Sequence, residues 1–327
     1  MAKRQSAPRT EDARLEDRDD DGRSTVTERR SKSAFPSAGE DAATAEITEI
    51  AKSTPQTRSP SYQLAFTDQD FLLREELRPV RLQLELLKPE MLLQEEKIVS
   101  TVVVFGSARI PDPDTARARL AKAEAALERH PGDPVHRKRA EAARRTLDRS
   151  HYYEEARAFA RRISEAGQAP NARRYVVVTG GGPGIMEAAN RGAHDVGAES
   201  IGLNIVLPAE QGPNPYITPK LCFQFHYFAI RKMHFLMRAK ALTCFPGGFG
   251  TLDELFETLT LIQTGKIERI PVLLFGESYW RRIIDFEAMV EENVIAPDDL
   301  SIFRYVETAE EAWNAITEFY EGLKGTT

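Results

Sequence analysis

Between Pro246 and Glu254 the chain reads Pro-Gly-Gly-Phe-Gly-Thr-Leu-Asp-Glu, directly after the apolar run Ala241–Phe245. A buried strand, a loop without obstructing side chains and a helix start are how a parallel α/β sheet holds a phosphate. Gly247, Gly248 and Gly250 leave backbone N–H groups open to close approach by an anion, and Thr251 opens the helix. Asp253 and Glu254 follow at once, so chemistry on the bound ligand is implied as well as binding. Thr251-Leu252-Asp253-Glu254 also reads as a capping box, in which Glu254 reaches back to the helix start and needs no ligand.

Three further stretches offer ligand contacts. The β-branched run Ile98–Phe105 stops at Gly106-Ser107, as a central parallel strand does when it delivers its loop to the carboxyl edge of a sheet. The strand Tyr175–Thr179 empties into Gly180-Gly181-Gly182-Pro183-Gly184-Ile185-Met186, a glycine loop with a helix behind it. That loop departs from G-x-G-x-x-G, and no Gly-Lys-Ser/Thr of a P-loop occurs, which disfavours a dinucleotide or NTPase site and leaves phosphate capture by backbone amides open. Arg231-Lys232 lies in the first turns of a helix beginning near Phe228, where acids are the usual choice. A cationic pair beside the sheet's carboxyl edge suits an anion.

The elements that must position these groups follow from the alternation of apolar runs and helical periods. Strands are predicted at Ile98–Phe105, Tyr175–Thr179, Glu199–Ile205, Leu221–Phe225, Ala241–Phe245, Pro271–Phe275 and near Phe303–Val306, with helices between them. Without an internal repeat, this calls for an α/β fold: a doubly wound, Rossmann-like parallel sheet of about seven strands over residues 98–327. Residues 114–148, rich in Ala, Arg and Glu and broken at Pro131-Gly132, read as an inserted helical hairpin, a solvated arm or an oligomer contact rather than part of the site. Gly167 is expected to end the preceding strand's helix from the C′ position. Residues 1–60 carry mixed charge and few large apolar residues and are expected to be a disordered tail. Residues 61–97 are expected to form two short N-terminal helices punctuated by Pro79 and Pro89.

Composition narrows the partners. A net charge of −6 over 327 residues argues against nucleic acid. No apolar run approaches a membrane span and no apolar stretch follows the first residues, so a cytoplasmic protein is expected. The two cysteines, Cys222 and Cys244, sit in apolar strands and read as core residues, with neither a disulfide nor a metal site implied.

The motif at 246–254 matches P-G-G-x-G-T-x-x-E, and with Arg231-Lys232, Gly106-Ser107 and the loop Gly180–Met186 it makes the chain resemble the LOG (Lonely Guy) family. These are nucleoside 5′-monophosphate phosphoribohydrolases, once labelled possible lysine decarboxylases. The resemblance covers about residues 98–325; the tail and the insert depart from the short plant-type members. It implies hydrolysis of the N-glycosidic bond of a nucleoside 5′-monophosphate, of AMP or cytokinin-riboside type, to free base and ribose 5-phosphate. Glu254 and Arg231 would be catalytic. Gly106, Ser107, Gly180, Gly181, Gly182, Met186, Lys232, Gly247, Gly248, Gly250 and Thr251 would hold the substrate, in a homodimer or higher homo-oligomer without cofactor. No lysine stands in a context that suggests a cofactor Schiff base. The alternative is a nucleotide carrier or sensor that binds without hydrolysis, and the joint presence of Arg231 and Glu254 favours the enzyme.

Overall fold

A computed structural model of the chain describes residues 37–51, 53–207 and 212–324. It divides into two compact units at Leu77/Arg78. Most of the expected tail, residues 1–36, lies outside the described residues. In the first unit Ala38–Ala51 is a helix (α1), so part of the stretch expected to lack structure is ordered locally. A short helix, α2 (Gln69–Leu72), is capped by Asp68, whose carboxylate accepts from the Phe71 N–H at 2.9 Å.

The second unit opens with α3 (Arg78–Glu95), a single 18-residue helix in place of the two short ones expected. Pro79 falls in its first turn, where a missing N–H is harmless. Pro89 lies inside the helix and removes one backbone bond, yet with Leu93 it forms the buried face, and that burial keeps the helix continuous.

Seven parallel strands make the sheet: β1 (Thr101–Phe105), β4 (Val176–Thr179), β5 (Ser200–Ile205), β6 (Cys222–Phe225), β7 (Ala239–Cys244), β8 (Val272–Phe275) and β9 (Phe303–Val306). Their order is β6-β5-β4-β1-β7-β8-β9, so the winding reverses at β1, between β4 and β7. Ligands of open α/β sheets bind outside the carboxyl ends of the strands at such a reversal. The inner strands β1, β4, β5 and β8 are buried on both faces, which is why they read as continuous apolar runs. Val102 and Val104 face one helical layer and Val103 and Phe105 the other.

The layer packed on Val102 contains α6 (His151–Gly167), α7 (Ile185–His194) and α12 (Ala309–Lys324). The opposite layer contains α3, α8 (Phe228–Leu236), α9 (Phe249–Gln263), α10 (Glu277–Ile283) and α11 (Phe286–Glu291). The stretch from Trp280 to Met289 is divided between α10 and α11: Ile284 is extended, and Asp285 caps a new start at the Ala288 N–H, 2.9 Å away. Gly167 is the last helical residue rather than C′, and its smallness lets the Arg174 backbone come close, with Arg174 N–H donating to Gly167 O at 2.9 Å. That approach is made by a two-stranded hairpin absent from the sequence reading, β2 (Gln168–Ala169) and β3 (Ala172–Arg173).

The insert is a helical hairpin, α4 (Pro113–Arg129) and α5 (Pro134–Arg149), each opened by an aspartate cap and a proline. Asp112 accepts from Thr115 N–H at 2.9 Å and Asp133 from Val135 N–H at 2.7 Å. Arg144 joins Glu124 across the hairpin at 2.7 Å. No described helix is long and apolar enough to cross a membrane.

Candidate active site

Three loops close on one another at the winding reversal. The β1 and β7 loops continue the strand pairing past the sheet: Phe245 N–H donates to Phe105 O at 2.8 Å and Ser107 N–H to Pro246 O at 3.0 Å. The β4 loop joins them through Ile185 N–H, which donates to Ser107 O at 3.2 Å. Two glycines make this contact feasible. A side chain on Gly106 would strike Ile185, and Gly184, at φ +71°, lies against the Ser107 carbonyl and Ala108.

Behind the β4 loop sits a buried polar cluster that the sequence reading missed. Thr179 Oγ1 donates to Asn190 Oδ1 at 2.7 Å and receives the Gly181 N–H at 3.0 Å. Asn214 Nδ2 donates to Gly181 O and Gly182 O, both at 3.1 Å, and to Asn190 Oδ1 at 3.0 Å. Every member has partners, so the loop is held rigidly at its glycine backbone. The asparagines stand 24 positions apart in the chain, and nothing in their spacing announces the pairing.

The β7 loop departs from the expected capping box. Helix α9 begins at Phe249 with Gly248 at the N-cap, and Thr251 N–H donates to Gly248 O at 3.0 Å. Thr251 therefore lies inside the first turn, buried, with its hydroxyl where a side chain on Gly247 would be. The Phe249 and Gly250 amides, as the first of the helix, have no acceptor within it. Glu254 is freed from capping by the same shift: it sits in the second turn, only 6% exposed. Burial pushes its carboxyl up to about 7, against the opposing pull of Lys232 and Arg231.

Arg231 is held in place by its backbone, ring and glycine neighbours. Its Nε donates to Leu203 O at 2.7 Å, its guanidinium carbon lies 5.0 Å from the Phe235 ring centroid, and its fork packs on Gly180 so closely that a methyl there would touch Nη2. Lys232, expected beside it as a phosphate contact, points elsewhere. It bridges α8 to α9 through Asp253 (3.1 Å) and Glu257 (2.9 Å). Consecutive residues on a helix diverge by about 100°, so only one of the pair can face the cleft. Burial disfavours the Lys232 charge, but Glu257 and Asp253 overcome it and hold the ammonium above its usual range.

A cleft of about 1020 Å³ opens over these loops. Gly106, Ser107, Gly180, Gly182, Met186, Arg231, Gly247, Gly248, Gly250, Thr251 and Glu254 all line it. Of the residues expected in the site, Gly181 and Lys232 do not; Gly181, at φ +79°, shapes the loop from behind against Asn204. Residues not foreseen also line it: Phe228, Tyr279 of α10, and Arg145 and Arg149 of the insert. Tyr279 donates its hydroxyl to Gly247 O at 2.5 Å and so orients the peptide that opens the glycine loop. Among the described residues no group of three His, Cys, Asp or Glu side chains is placed to hold a metal. Cys244 is buried in the core as expected, whereas Cys222 is only half-buried.

Helix α3 grips α8, the carrier of Arg231, at both ends. Glu85 accepts from the His226 and Tyr227 N–H groups at 2.8 and 3.1 Å, supplying the cap that Tyr227 itself lacks. Glu90 binds Arg238 just past the other end. Glu85→Ala is expected to cost about 1 kcal/mol of stability, as helix-cap losses do, and to lower turnover several-fold by loosening Arg231. Urea unfolding and initial rates on one preparation check this; an unchanged rate beside a clear stability loss would show that the clamp does not position the site.

Known proteins sharpen the comparison. The family model described as "Possible lysine decarboxylase" matches residues 186–316. A cytokinin riboside 5′-monophosphate phosphoribohydrolase of Arabidopsis thaliana is 31% identical over 152 residues, 45% of this chain and 68% of that protein. The chain belongs to the LOG family. A second Arabidopsis LOG protein of the same description is 29% identical over 147 residues, 44% of this chain and 67% of that one. The X-ray structure of TM1055 aligns with 67% of this chain and 99% of that one at 20% identity, with a TM-score of 0.40. The segment matched by the family model holds α8, β7 and α9, and therefore both Arg231 and Glu254. The helical insert precedes that segment.

Proposed function

We propose that this LOG-family chain hydrolyses the N-glycosidic bond of a nucleoside 5′-monophosphate of the AMP or cytokinin-riboside type, releasing base and ribose 5-phosphate. The observation that carries this reading is Glu254, a carboxyl buried in the cleft beside Arg231 and facing a glycine loop that ends at a helix N-terminus. The 5′-phosphate rests on the first amides of α9, at Phe249 and Gly250. Bond cleavage develops positive charge on the sugar, which ionised Glu254 stabilises or relieves by taking a proton from the attacking water. Water supplies hydroxide to the anomeric carbon and the base departs with a proton. Asp253 also lines the cleft, but it is exposed and paired with Lys232, and Glu257 pairs with Lys232 outside the lining, so Glu254 is the one buried carboxyl among the described lining residues.

Incubating purified protein with AMP and related monophosphates and looking for free base by chromatography tests the proposal. Binding without base release would replace the enzyme with a carrier. The carboxyl near 7 sets the expected pH dependence: kcat/KM rises with pH through about 7 and then levels. A fall over that interval would assign Glu254 the role of an acid instead.

The working form is proposed to be a homodimer or larger. Phe249, 92% exposed in the first turn of α9, and the exposed Phe228 at the start of α8 are apolar residues that line the cleft. Sedimentation analysis of Phe249→Asp against the parent chain reads this out as a shift towards monomer.

A further inference from the structure

The insert brings a row of cations to the cleft that a mononucleotide does not require. Ala142, Arg145, Thr146 and Arg149 all line the cleft, and their spacing is one stripe of α5. Arg109, from the loop after β1, lines it as well. Arg109, Arg145 and Arg149 are exposed and make no ion pair among the described residues. Elsewhere on the hairpin Arg144 pairs with Glu124 and Arg117 with Asp114, and the arginines without an ion pair among the described residues, such as Arg137 and Arg139, lie outside the cleft lining. In a chain of net charge −6, a wall with three unmatched cations is a local feature rather than a consequence of composition.

This wall adjoins the phosphate loop. The Arg149 guanidinium carbon stands 5.6 Å from the centroid of the Tyr279 ring, whose hydroxyl holds Gly247 O. One side chain thus separates the insert from the loop that receives the first phosphate. At about 1020 Å³ the cleft lies at the upper end of small-ligand sites, which span roughly 300–1,000 Å³, leaving room beyond a nucleoside monophosphate. The ribose and base carry no negative charge, and the 5′-phosphate already has the amides of α9. Further anionic charge, outward from the 5′-phosphate, is what guanidinium forks on this wall are suited to bind.

We propose that Arg145 and Arg149 of the insert, with Arg109, form a second anion subsite that takes the outer phosphate of a nucleoside 5′-diphosphate or triphosphate bound in the same cleft. The proposal rests on the reading of the glycine loop as the first phosphate site and extends it by one group.

The test is calorimetric binding of AMP and ADP to the full chain carrying Glu254→Gln, which keeps turnover from confusing the measurement. ADP is expected to bind about tenfold or more tightly than AMP, the equivalent of one charge-assisted hydrogen bond. Adding Arg145→Ala and Arg149→Ala should bring the ADP-to-AMP ratio to within about twofold of unity, and alanine in an exposed helix preserves the fold. Arg137→Ala with Arg139→Ala removes the same charge from hairpin positions outside the cleft and should leave the ratio unchanged. The subsite is overturned if AMP binds but ADP binds no better, if the ratio survives the double substitution, or if the Arg137/Arg139 pair lowers it as much. Failure of both nucleotides to bind overturns the first phosphate site as well, and so separates the two readings.

Discussion

Glu254→Gln is expected to lower base release by on the order of 10³-fold while nucleotide binding stays within a few-fold. The amide keeps the size of the carboxyl but can neither carry charge under the developing oxocarbenium nor accept a proton. Stability should move the other way. Burial holds the folded-state Glu254 carboxyl near 7, above its ordinary value of 4.5, so the folded chain is favoured by the protonated form. That contribution is complete below about 4.5 and is lost as pH rises through about 7. At pH 8 the variant should therefore be more stable than the parent, by on the order of 2–3 kcal/mol, and at pH 4.5 the two should coincide. Denaturant unfolding at both pH values, set beside rates of base release, gives two independent readouts. Undiminished release would remove Glu254 from the mechanism, and a stability difference independent of pH would show that its carboxyl is not held protonated by burial.

Arg231→Ala is expected to cost on the order of 10²-fold in kcat/KM, with Arg231→Lys recovering little of it. The argument is geometric. Nε is tied to Leu203 O at 2.7 Å and the guanidinium sits between Gly180 and the Phe235 ring, so the position of the charge is set by the fork. A lysine keeps the charge but gathers its donors on one nitrogen, without the planar fork and its flat face. Steady-state kinetics on the three chains check the prediction. Full activity in Arg231→Lys would mean that charge alone suffices, and a loss confined to KM would confine Arg231 to substrate binding.

Much of this protein is determined by local sequence. The β-branched runs are long enough and apolar enough to be buried on both faces, so the parallel sheet is legible without any knowledge of the partners of each strand. Glycine loops after β1, β4 and β7 are legible for the same reason: few other residues permit backbones to approach as Gly106 and Gly184 do. Glu254 and Arg231 could be picked out because a carboxylate and a cation at helix starts stand where a plain turn needs neither.

What tertiary structure alone decided is which side chains turn towards the cleft. Lys232 follows Arg231 in sequence, yet the 100° step of the helix hands it to Asp253 and Glu257. Glu254 was ambiguous between cap and site until a three-residue shift moved the cap from Thr251 to Gly248. Pro89 marks a break by local rule, and only burial against the sheet explains the continuous α3. Asn190 with Asn214, Tyr279 with Gly247, and the stripe Arg145–Arg149 all lie far in sequence from what they touch or face. Spacing records the period of an element and the conformations its backbone permits, whereas contacts between elements depend on how the sheet winds, and that is settled only when the whole core is packed.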